Sequence, residues 1–379
     1  MIYLNNAATS YPKPDYVSEA VCAYIKNIPF HSLRTGLETK NVNNIDLARE
    51  KLAQLFNIQN PDCIVFTSGA TSALNLAIMG LEPEKQDHFI TTSTEHNSVI
   101  RPLKTLQYDK GIQLTIVDCD KNGIIDPQNI EQAIQSNTKA IIVNHASNVV
   151  GTVIDIDNIS RIARKNGVML VVDGAQSAGA IPIDLSKMQA DIFIFAGHKS
   201  LFGLPGIGGL YINETIRLKP IIVGGTGVRS DLLTQPQTIP MYYEAGTPNM
   251  PGIISLKHGA DFILETGMDS IMNKKNRLID MIYHSLCKID RVILYGERKK
   301  KQTAVVSFNI RGVKPDEVTY ILENSFQIIT RSGLHCAPLI HKALGSYPDG
   351  SVRISPSYFS EESEIQAAID AIKSIASAI

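Results

Sequence analysis

Short apolar runs alternate with amphipathic segments through the first two thirds of the chain. The runs are rich in Ile and Val and predict strands at 63–67, 88–93, 113–120, 139–147, 168–176, 191–197 and 208–212. Segments with helical spacing follow at 70–81, 97–109, 126–137 and 155–167. Buried strands separated by amphipathic helices are typical of a mostly parallel sheet that is covered on both faces. The pattern therefore predicts an α/β fold.

The pattern changes past about residue 250. Helical spacing over 251–266 and 269–288 leads to strand candidates at 303–310 and 351–355, with further helices at 314–324 and from about 361. We therefore expect a large domain over 16–250 and a smaller α+β domain over 251–379. The N-terminal segment 1–15 is expected to join the smaller domain. The loop 223–252 is rich in Gly, Pro and Thr, and loops of this length are usually functional or contact another subunit.

Composition narrows the classes of function. The chain of 379 residues is 44% hydrophobic and 19% charged, which allows a large buried core. Its net charge of −1 without a charged block argues against nucleic acid and against a membrane as partners. The first residues lack the features of a secretory signal, and the five cysteines are scattered without a CxxC pair. We therefore expect a cytoplasmic protein without a disulfide framework or a bound metal.

Polar residues follow several of the predicted strands, at the edge where parallel sheets bind ligands. Lys199 stands in "IFAGHKSLFGLPGIGGLYI", where the glycines allow a ligand to approach the backbone closely. A lysine beside an apolar wall can act as an amine nucleophile, although a single lysine is by default a surface residue. Asp173, in "VVDGAQSAG", needs a cationic partner if it is buried, but it could equally cap the next element. A protonated pyridine nitrogen of a ligand is one such partner, and Gln176, three residues further on, could form a hydrogen bond with a neighbouring group of that ligand.

Two weaker motifs complete this group. "FTSGATSALNLA" places Thr71 and Ser72 at the start of a helix, where free N–H groups can bind a phosphate. His96, in "TEHNSV", could stack on a planar ring, although a lone histidine there is more often an ordinary loop residue. Together, a lysine for an imine, an aspartate for a pyridinium, a phosphate cup and a stacking histidine indicate a pyridoxal phosphate site.

The stretch "RSGLHCAPLI" (331–340) contains Cys336 close to Arg331 and His335. A nearby cation favours the thiolate form of a cysteine, which is the reactive form. Taken alone, the stretch fits a reactive thiol and a buried structural cysteine about equally well.

These motifs resemble the class V aminotransferase-fold family, and within it the cysteine desulfurases and selenocysteine lyases. The similarity runs nearly from end to end, through "YLNNAATS", "TSGATSALN", "EHNS", "NHASNVVGT", "DGAQSAG", "GHKSLFGLPGIGGLY", "GGTG", "EAGTPN", "RSGLHCAPL" and "VRIS". It implies the type I fold of pyridoxal-phosphate transferases, similar to aspartate aminotransferase, with a smaller C-terminal domain.

The resemblance also implies a role for each site residue. Lys199 would bind the cofactor covalently and shuttle protons, Asp173 would contact the pyridine nitrogen, Gln176 the phenolic oxygen, and His96 would stack on the ring. The phosphate would be held by the Ala70 backbone, Thr71 and His198, and by Thr226 from the neighbouring subunit of a homodimer. Asn148 and Arg353 would bind the substrate carboxylate, and Arg331 would position the loop or the substrate.

Cys336 matches the desulfurase nucleophile, which implies conversion of L-cysteine to L-alanine with a persulfide on Cys336 and a sulfur-acceptor protein as partner. Selenocysteine lyase is the nearest alternative, and an aminotransferase or β-lyase is a more distant one. A scaffold that merely retains the cofactor is a different class, against which the intact Lys199, Asp173, His96 and Cys336 argue.

Three positions depart from the family pattern. Ala196 stands where Ser or Thr is usual, so we expect one phosphate hydrogen bond to be missing. Leu334 replaces a histidine of some desulfurases and leaves the preference between sulfur and selenium open. Asn5 stands where Asp is common.

Overall fold

The computed structural model describes residues 1–27, 44–227, 229–298 and 302–378. The strands are β1 (Ile2–Tyr3), β2 (Ile64–Thr67), β3 (His88–Thr92), β4 (Gln113–Val117), β5 (Thr138–Asn144), β6 (Met169–Asp173), β7 (Ile192–Ala196), β8 (Gly208–Ile212), β9 (Val292–Tyr295), β10 (Val306–Ile310), β11 (Ile328–Ile329) and β12 (Val352–Ile354). The helices are α1 (Asp15–Lys26), α2 (Asn44–Phe56), α3 (Ala70–Met79), α4 (Asn97–Lys110), α5 (Pro127–Ala133), α6 (Ile156–Lys165), α7 (Leu185–Met188), α8 (Met250–Thr266), α9 (Met268–Leu286), α10 (Pro315–Phe326), α11 (Pro338–Ala343) and α12 (Glu362–Ser377).

The main sheet has seven strands in the order β2-β8-β7-β6-β5-β3-β4. Strands β4, β3, β5, β6 and β7 are parallel, whereas β8 runs antiparallel to both of its neighbours. Strand β2 therefore points the same way as β7, and six carboxyl ends lie on one edge of the sheet. The predicted mostly parallel sheet is confirmed, with β8 as its antiparallel member.

Both faces of this sheet are buried, which explains the continuous apolar runs. Ile141 packs into one hydrophobic cluster and its neighbour Ile142 into another. Phe193 and Ile194 divide in the same way, as the two-residue period of a strand requires. One cluster includes side chains of α2, α6 and α8, and the other includes side chains of α3 and α4. Helices on both faces thus leave the strand ends as the place for polar chemistry.

The C-terminal part forms a second layer of structure around the three-stranded antiparallel sheet β12-β10-β9. Helices α9, α10 and α12 share a hydrophobic cluster with this sheet, and Leu4 of the N-terminal segment belongs to the same cluster. Strand β1 pairs in parallel with β11. Helix α8 contributes its buried side chains to the first core instead. The two-domain division at residue 250 remains a prediction.

No helix in the described ranges is both long and apolar enough to cross a bilayer.

Candidate active site

A cavity of about 360 Å³ lies at the carboxyl edge of the main sheet. It is lined by most of the predicted site residues, namely Ala70, Thr71, His96, Asn148, Asp173, Gln176, His198, Lys199, Arg331 and Arg353. Segments far apart in sequence thus meet at one place: those from Ala70 to Lys199 follow or end strands of the main sheet, whereas Arg331 and Arg353 come from the C-terminal part. Cys336 and Thr226 are not among the described residues that line this cavity.

Lys199 and Asp173 form the charged centre of the cavity. Lys199 follows β7, and burial together with nearby arginines lowers its pKa to about 8. Asp173 ends β6 and is 6% exposed, with its Oδ1 accepting a hydrogen bond of 2.9 Å from the Ala175 N–H. Burial raises the pKa of Asp173, while the Ala175 N–H and Lys199 oppose that rise. A lysine amine with a pKa near neutrality can act as a nucleophile and as a proton carrier.

His96 is fixed as a neutral ring. It caps the N-terminus of α4, where its Nδ1 accepts a hydrogen bond of 3.0 Å from the Ser98 N–H. The proton of the neutral ring therefore lies on Nε2. Burial, followed by the positive charges of Lys199 and Arg331, lowers the pKa of His96 to about 4. A neutral ring of fixed orientation suits stacking on a planar group better than binding a charge.

Glu95 lies fully buried beside this histidine. Its Oε1 accepts hydrogen bonds from the Thr92 hydroxyl (2.6 Å) and from the Asn144 N–H (2.9 Å), whereas its Oε2 has no partner within the described chain. Burial is the main cause that raises the pKa of Glu95 to about 8. The sequence marks Glu95 as a strand-end residue, but its protonation depends on packing that no local pattern reveals.

An open anion cradle lies at the start of α3. Gly69, with φ of +147°, precedes the first turn, and a Cβ placed there would meet no atom within 4 Å. The first N–H groups of a helix have no acceptor inside it, so those of Ala70 and Thr71 can face a bound anion. The Nδ1 of His198 is buried without a partner in the described ranges. Ala196, which is buried at the end of β7, offers no hydroxyl to this cradle.

Lys199, the buried Asp173 and the anion cradle together fit pyridoxal phosphate, which combines an aldehyde, a protonated pyridine and a phosphate. Each part of the cofactor would face a group of suitable chemistry. The fit rests on the Lys199 amine, a buried carboxyl and helix N–H groups without intrahelical acceptors around one cavity.

The cavity has two walls: the strand-end wall, with Lys199, Asp173, His96 and the anion cradle, and the loop wall, with the two arginines Arg331 and Arg353. The backbone of Arg331 pairs with that of Arg353 in β12 through an isolated antiparallel bridge, with hydrogen bonds of 3.3 and 2.7 Å. Arg353 is 1% exposed and donates to the Asn148 carbonyl (2.9 Å) and to the Asn5 Oδ1 (3.1 Å), both uncharged. Burial, then Arg331, lowers the pKa of Arg353 to about 9. Paired cations of this kind suit a carboxylate ligand.

Asn148 and Gln176 make protein contacts in addition to lining the cavity. The side-chain amide of Asn148 donates to the His335 carbonyl at 2.6 Å, which ties the end of one strand to the loop of Cys336. The side-chain amide of Gln176 donates to the Ala7 carbonyl at 3.0 Å. Ala7 and Ala8 line the cavity as well, and sequence analysis assigned them no role. Their place in the motif "YLNNAATS" was the available signal.

The loop of Cys336 is short and strained. His335 and Cys336 have φ values of +50° and +58°, which side-chain-bearing residues rarely adopt. The His335 Nε2 donates to the Ser351 carbonyl at 2.9 Å, and the Cys336 carbonyl accepts from the Asn97 N–H at 2.7 Å. Arg331 donates from Nη2 to the half-exposed Cys336 Sγ at 3.7 Å. The loop thus holds the thiol next to residues that line the cavity.

Thr226 lies half-buried in the stretch between β8 and α8, away from the described cavity wall. A contact with the phosphate of a neighbouring subunit remains a prediction.

Comparisons with known proteins agree with this geometry. The aminotransferase class-V family model matches residues 2–368. A probable cysteine desulfurase of Methanothermobacter thermautotrophicus is 32% identical, over 99% of this chain and 94% of the relative. One from Pyrococcus abyssi has the same identity and coverage, 32%, 99% and 94%.

Solved structures show the same similarity. The apo structure of a cysteine desulfurase from Thermococcus onnurineus NA1 has a TM-score of 0.92 and 32% identity, covering 100% of this chain and 95% of that one. The cysteine desulfurase CsdA of Escherichia coli has a TM-score of 0.90 and 25% identity, with coverage of 100% and 95%. These similarities confirm the expected type I fold. The chain belongs to the aminotransferase class-V family, among relatives named as cysteine desulfurases.

Proposed function

We propose that this protein is a pyridoxal-phosphate-dependent cysteine desulfurase. It would convert L-cysteine to L-alanine and leave the sulfur as a persulfide on Cys336. The names of its relatives support this activity. The observation that carries the proposal is a half-exposed thiol, held by Arg331, beside the cavity that contains the Lys199 amine.

In this proposal the residues of the strand-end wall hold the cofactor. The N–H groups at Ala70 and Thr71, with His198, would bind the phosphate, and Lys199 would bind the cofactor covalently. Asp173 would contact the pyridine nitrogen, Gln176 the phenolic oxygen, and His96 would stack on the ring. When bound, pyridoxal phosphate supplies an electron sink for bonds broken at the substrate α-carbon.

In the same proposal the loop wall binds the substrate. Arg353 and Arg331 hold its carboxylate, with Asn148 fixing the loop and the guanidinium that faces it. Lys199 moves the α-proton, for which a pKa of about 8 is well matched to neutral solution.

Cys336 supplies the nucleophile. Its thiolate attacks the substrate sulfur, the carbon–sulfur bond breaks, and the sulfur remains on Cys336. The net reaction of L-cysteine with the Cys336 thiol gives L-alanine and the Cys336 persulfide, which balances in atoms and electrons. Release of the sulfur then needs a thiol or an acceptor protein.

The remaining expectations belong to the same proposal. The protein would work in the cytoplasm as a homodimer in which Thr226 reaches the phosphate of the neighbouring site. Selenocysteine would fit the same cavity, and comparing turnover of the two amino acids separates a desulfurase from a selenocysteine lyase.

The central experiment supplies L-cysteine and a reductant to the holoenzyme and measures alanine and sulfide. We expect Cys336→Ala to lower both products by a factor on the order of 10³, while Cys287→Ala, which alters an exposed cysteine elsewhere, leaves them unchanged. Unchanged alanine and sulfide from Cys336→Ala would disprove the desulfurase. Pyruvate in place of alanine would indicate a β-lyase, and consumption of a keto acid an aminotransferase.

A further inference from the structure

The carbonyl oxygen of His198, one peptide before Lys199, accepts hydrogen bonds from a single short segment of the chain. The donors are the Thr9 hydroxyl (3.1 Å), the Ser10 N–H (3.0 Å), the Ser10 hydroxyl (3.2 Å) and the Lys13 ammonium (3.2 Å). Residues nearly two hundred positions away thus converge on the peptide that leads into the reactive lysine. This convergence fixes the orientation of that peptide.

The Lys13 ammonium is the least favourable group of this arrangement, because it is a charge that is partly removed from water. Its ammonium donates to the Ser10 hydroxyl at 2.8 Å as well as to the His198 carbonyl, and both acceptors are uncharged. Burial lowers the pKa of Lys13 to about 8. A lysine that only solubilised the surface would remain in water, as exposed Lys26 of the next helix does. The position of Lys13 therefore points to a local structural task.

The Lys199 backbone is held on its other side too. Its carbonyl accepts a hydrogen bond of 3.0 Å from the Phe202 N–H, and the Gly197 N–H donates to the Ile207 carbonyl at 3.0 Å. With both flanking peptides fixed, the direction in which the Lys199 side chain enters the cavity is set. A reacting group loses rate steeply when its position shifts by a fraction of an ångström to an ångström.

The N-terminal segment that contains Lys13 also contacts the loop wall. The Ala7 N–H donates to the Ser355 hydroxyl at 2.9 Å, and Asn5 accepts from Arg353. The stretch from Asn5 to Lys13 therefore connects the substrate arginine with the peptide before the lysine.

We propose that Lys13 is a positioning residue for Lys199, acting through the His198 carbonyl. This inference rests on the proposed function, in which Lys199 carries the cofactor. Lys13 would set how rapidly Lys199 captures pyridoxal phosphate and how efficiently it moves the substrate proton, without contributing to substrate affinity.

The test is the variant Lys13→Met in the full chain. We expect the apo-protein to capture pyridoxal phosphate about tenfold more slowly, as followed by visible absorbance, which is the scale for loss of one charge-assisted hydrogen bond. The kcat for cysteine should fall by a similar factor while KM stays unchanged. Lys13→Arg, which keeps a cationic donor, should restore both rates to within about threefold. Lys26→Met is the matched control and should match the wild type in every measurement.

Melting temperatures of the apo-proteins separate positioning from misfolding. If Lys13→Met melts early, Ser10→Ala removes a neutral donor from the same carbonyl and should still slow capture with KM unchanged. Unaltered capture and kcat in both variants would overturn the role of Lys13 and leave the proposed function intact. A wild-type protein that captures no pyridoxal phosphate would instead refute the proposed function, and the role of Lys13 with it.

Discussion

The two walls of the active-site cavity are built in opposite ways. The strand-end wall carries the buried Asp173, and Glu95 is buried beside His96 outside the cavity lining; burial raises the pKa of both acids. The loop wall carries the cations Arg331 and Arg353, whose backbones pair in an isolated antiparallel bridge. Regular strands hold the first wall, whereas the second depends on a short loop with two residues at positive φ.

This difference separates two tasks. The strand-end wall offers the Lys199 amine, whose protonation can change near neutrality because burial lowers its pKa to about 8; burial also raises the pKa of Glu95, next to this wall, to about 8. The loop wall offers fixed positive charge, and the Cys336 thiol lies next to it on a backbone at positive φ. Substitutions on each wall should therefore fail in different ways.

The largest effects should follow removal of the Lys199 amine from the strand-end wall and of the Cys336 thiol next to the loop wall. Lys199→Ala should lose both cofactor capture and activity, the latter by about 10⁴-fold. Cys336→Ala should keep normal capture and lose desulfuration by a factor on the order of 10³. Visible absorbance and alanine assays measure the two properties, with exposed Lys104→Ala as the control. Loss of cofactor capture in Cys336→Ala would contradict the division between the walls.

Arg353→Met should raise KM for cysteine by about 100-fold, because the carboxylate loses a buried charged partner. The free energy of unfolding of the apo-protein should not fall, since the variant also removes a guanidinium whose two acceptors are uncharged. Urea titration and steady-state kinetics test both statements. Arg311→Met, at an exposed position after β10, should change neither, and a large stability loss in Arg353→Met would mean a mainly structural arginine.

The backbone of the loop wall can be tested with a matched pair of glycines. Gly350 has φ of +81°, and a Cβ there would lie 2.2 Å from the backbone of Gly333, two residues from Arg331. Gly111, at φ of +73°, has only the Lys85 Cγ at 3.7 Å. We expect Gly350→Ala to lower the free energy of unfolding by about 3 kcal/mol and Gly111→Ala by about 1 kcal/mol. Equal losses would show that close backbone approach does not hold the loop.

Glu95, buried beside the strand-end wall, should give a smaller, pH-dependent effect. The pKa of Glu95 is about 8 in the folded protein against 4.5 as its ordinary value, so the folded state retains a proton that the unfolded chain releases. The free energy of unfolding should therefore fall as pH rises, by about 2.5 kcal/mol between about pH 5 and 7. Glu95→Gln should flatten this fall in urea titrations, whereas exposed Glu82→Gln should not. An unchanged slope in Glu95→Gln would mean that Glu95 is ionised when folded.

The sequence makes the strand-end wall largely predictable. Apolar runs reveal the strands, and Asp173 ends one of them while Lys199 and His96 follow others within four residues, so one topological rule brings them together. The loop wall follows no such rule. The pairing of Arg331 with Arg353 and the positive φ of Cys336 depend on tertiary contacts between separate segments.

Other features could not be predicted from local sequence patterns, for similar reasons. The neutral state of Glu95 results from burial, and the convergence of Lys13 on His198 joins distant parts of the chain. Asn148 was expected to bind substrate, and it also holds the His335 carbonyl, which only the folded geometry reveals.

The uncharged partners of Arg353 have a practical consequence for handling the protein. Asn5 offers an amide oxygen where a carboxylate would have neutralised the guanidinium of Arg353. The positive charge of the loop wall therefore remains available to attract anions. Sulfate or phosphate in a buffer would then compete with the amino acid for the same place. Assays in such buffers would report a weaker apparent affinity than assays in a buffer of bulky, poorly coordinating ions, and Asn5→Asp would remove much of that sensitivity.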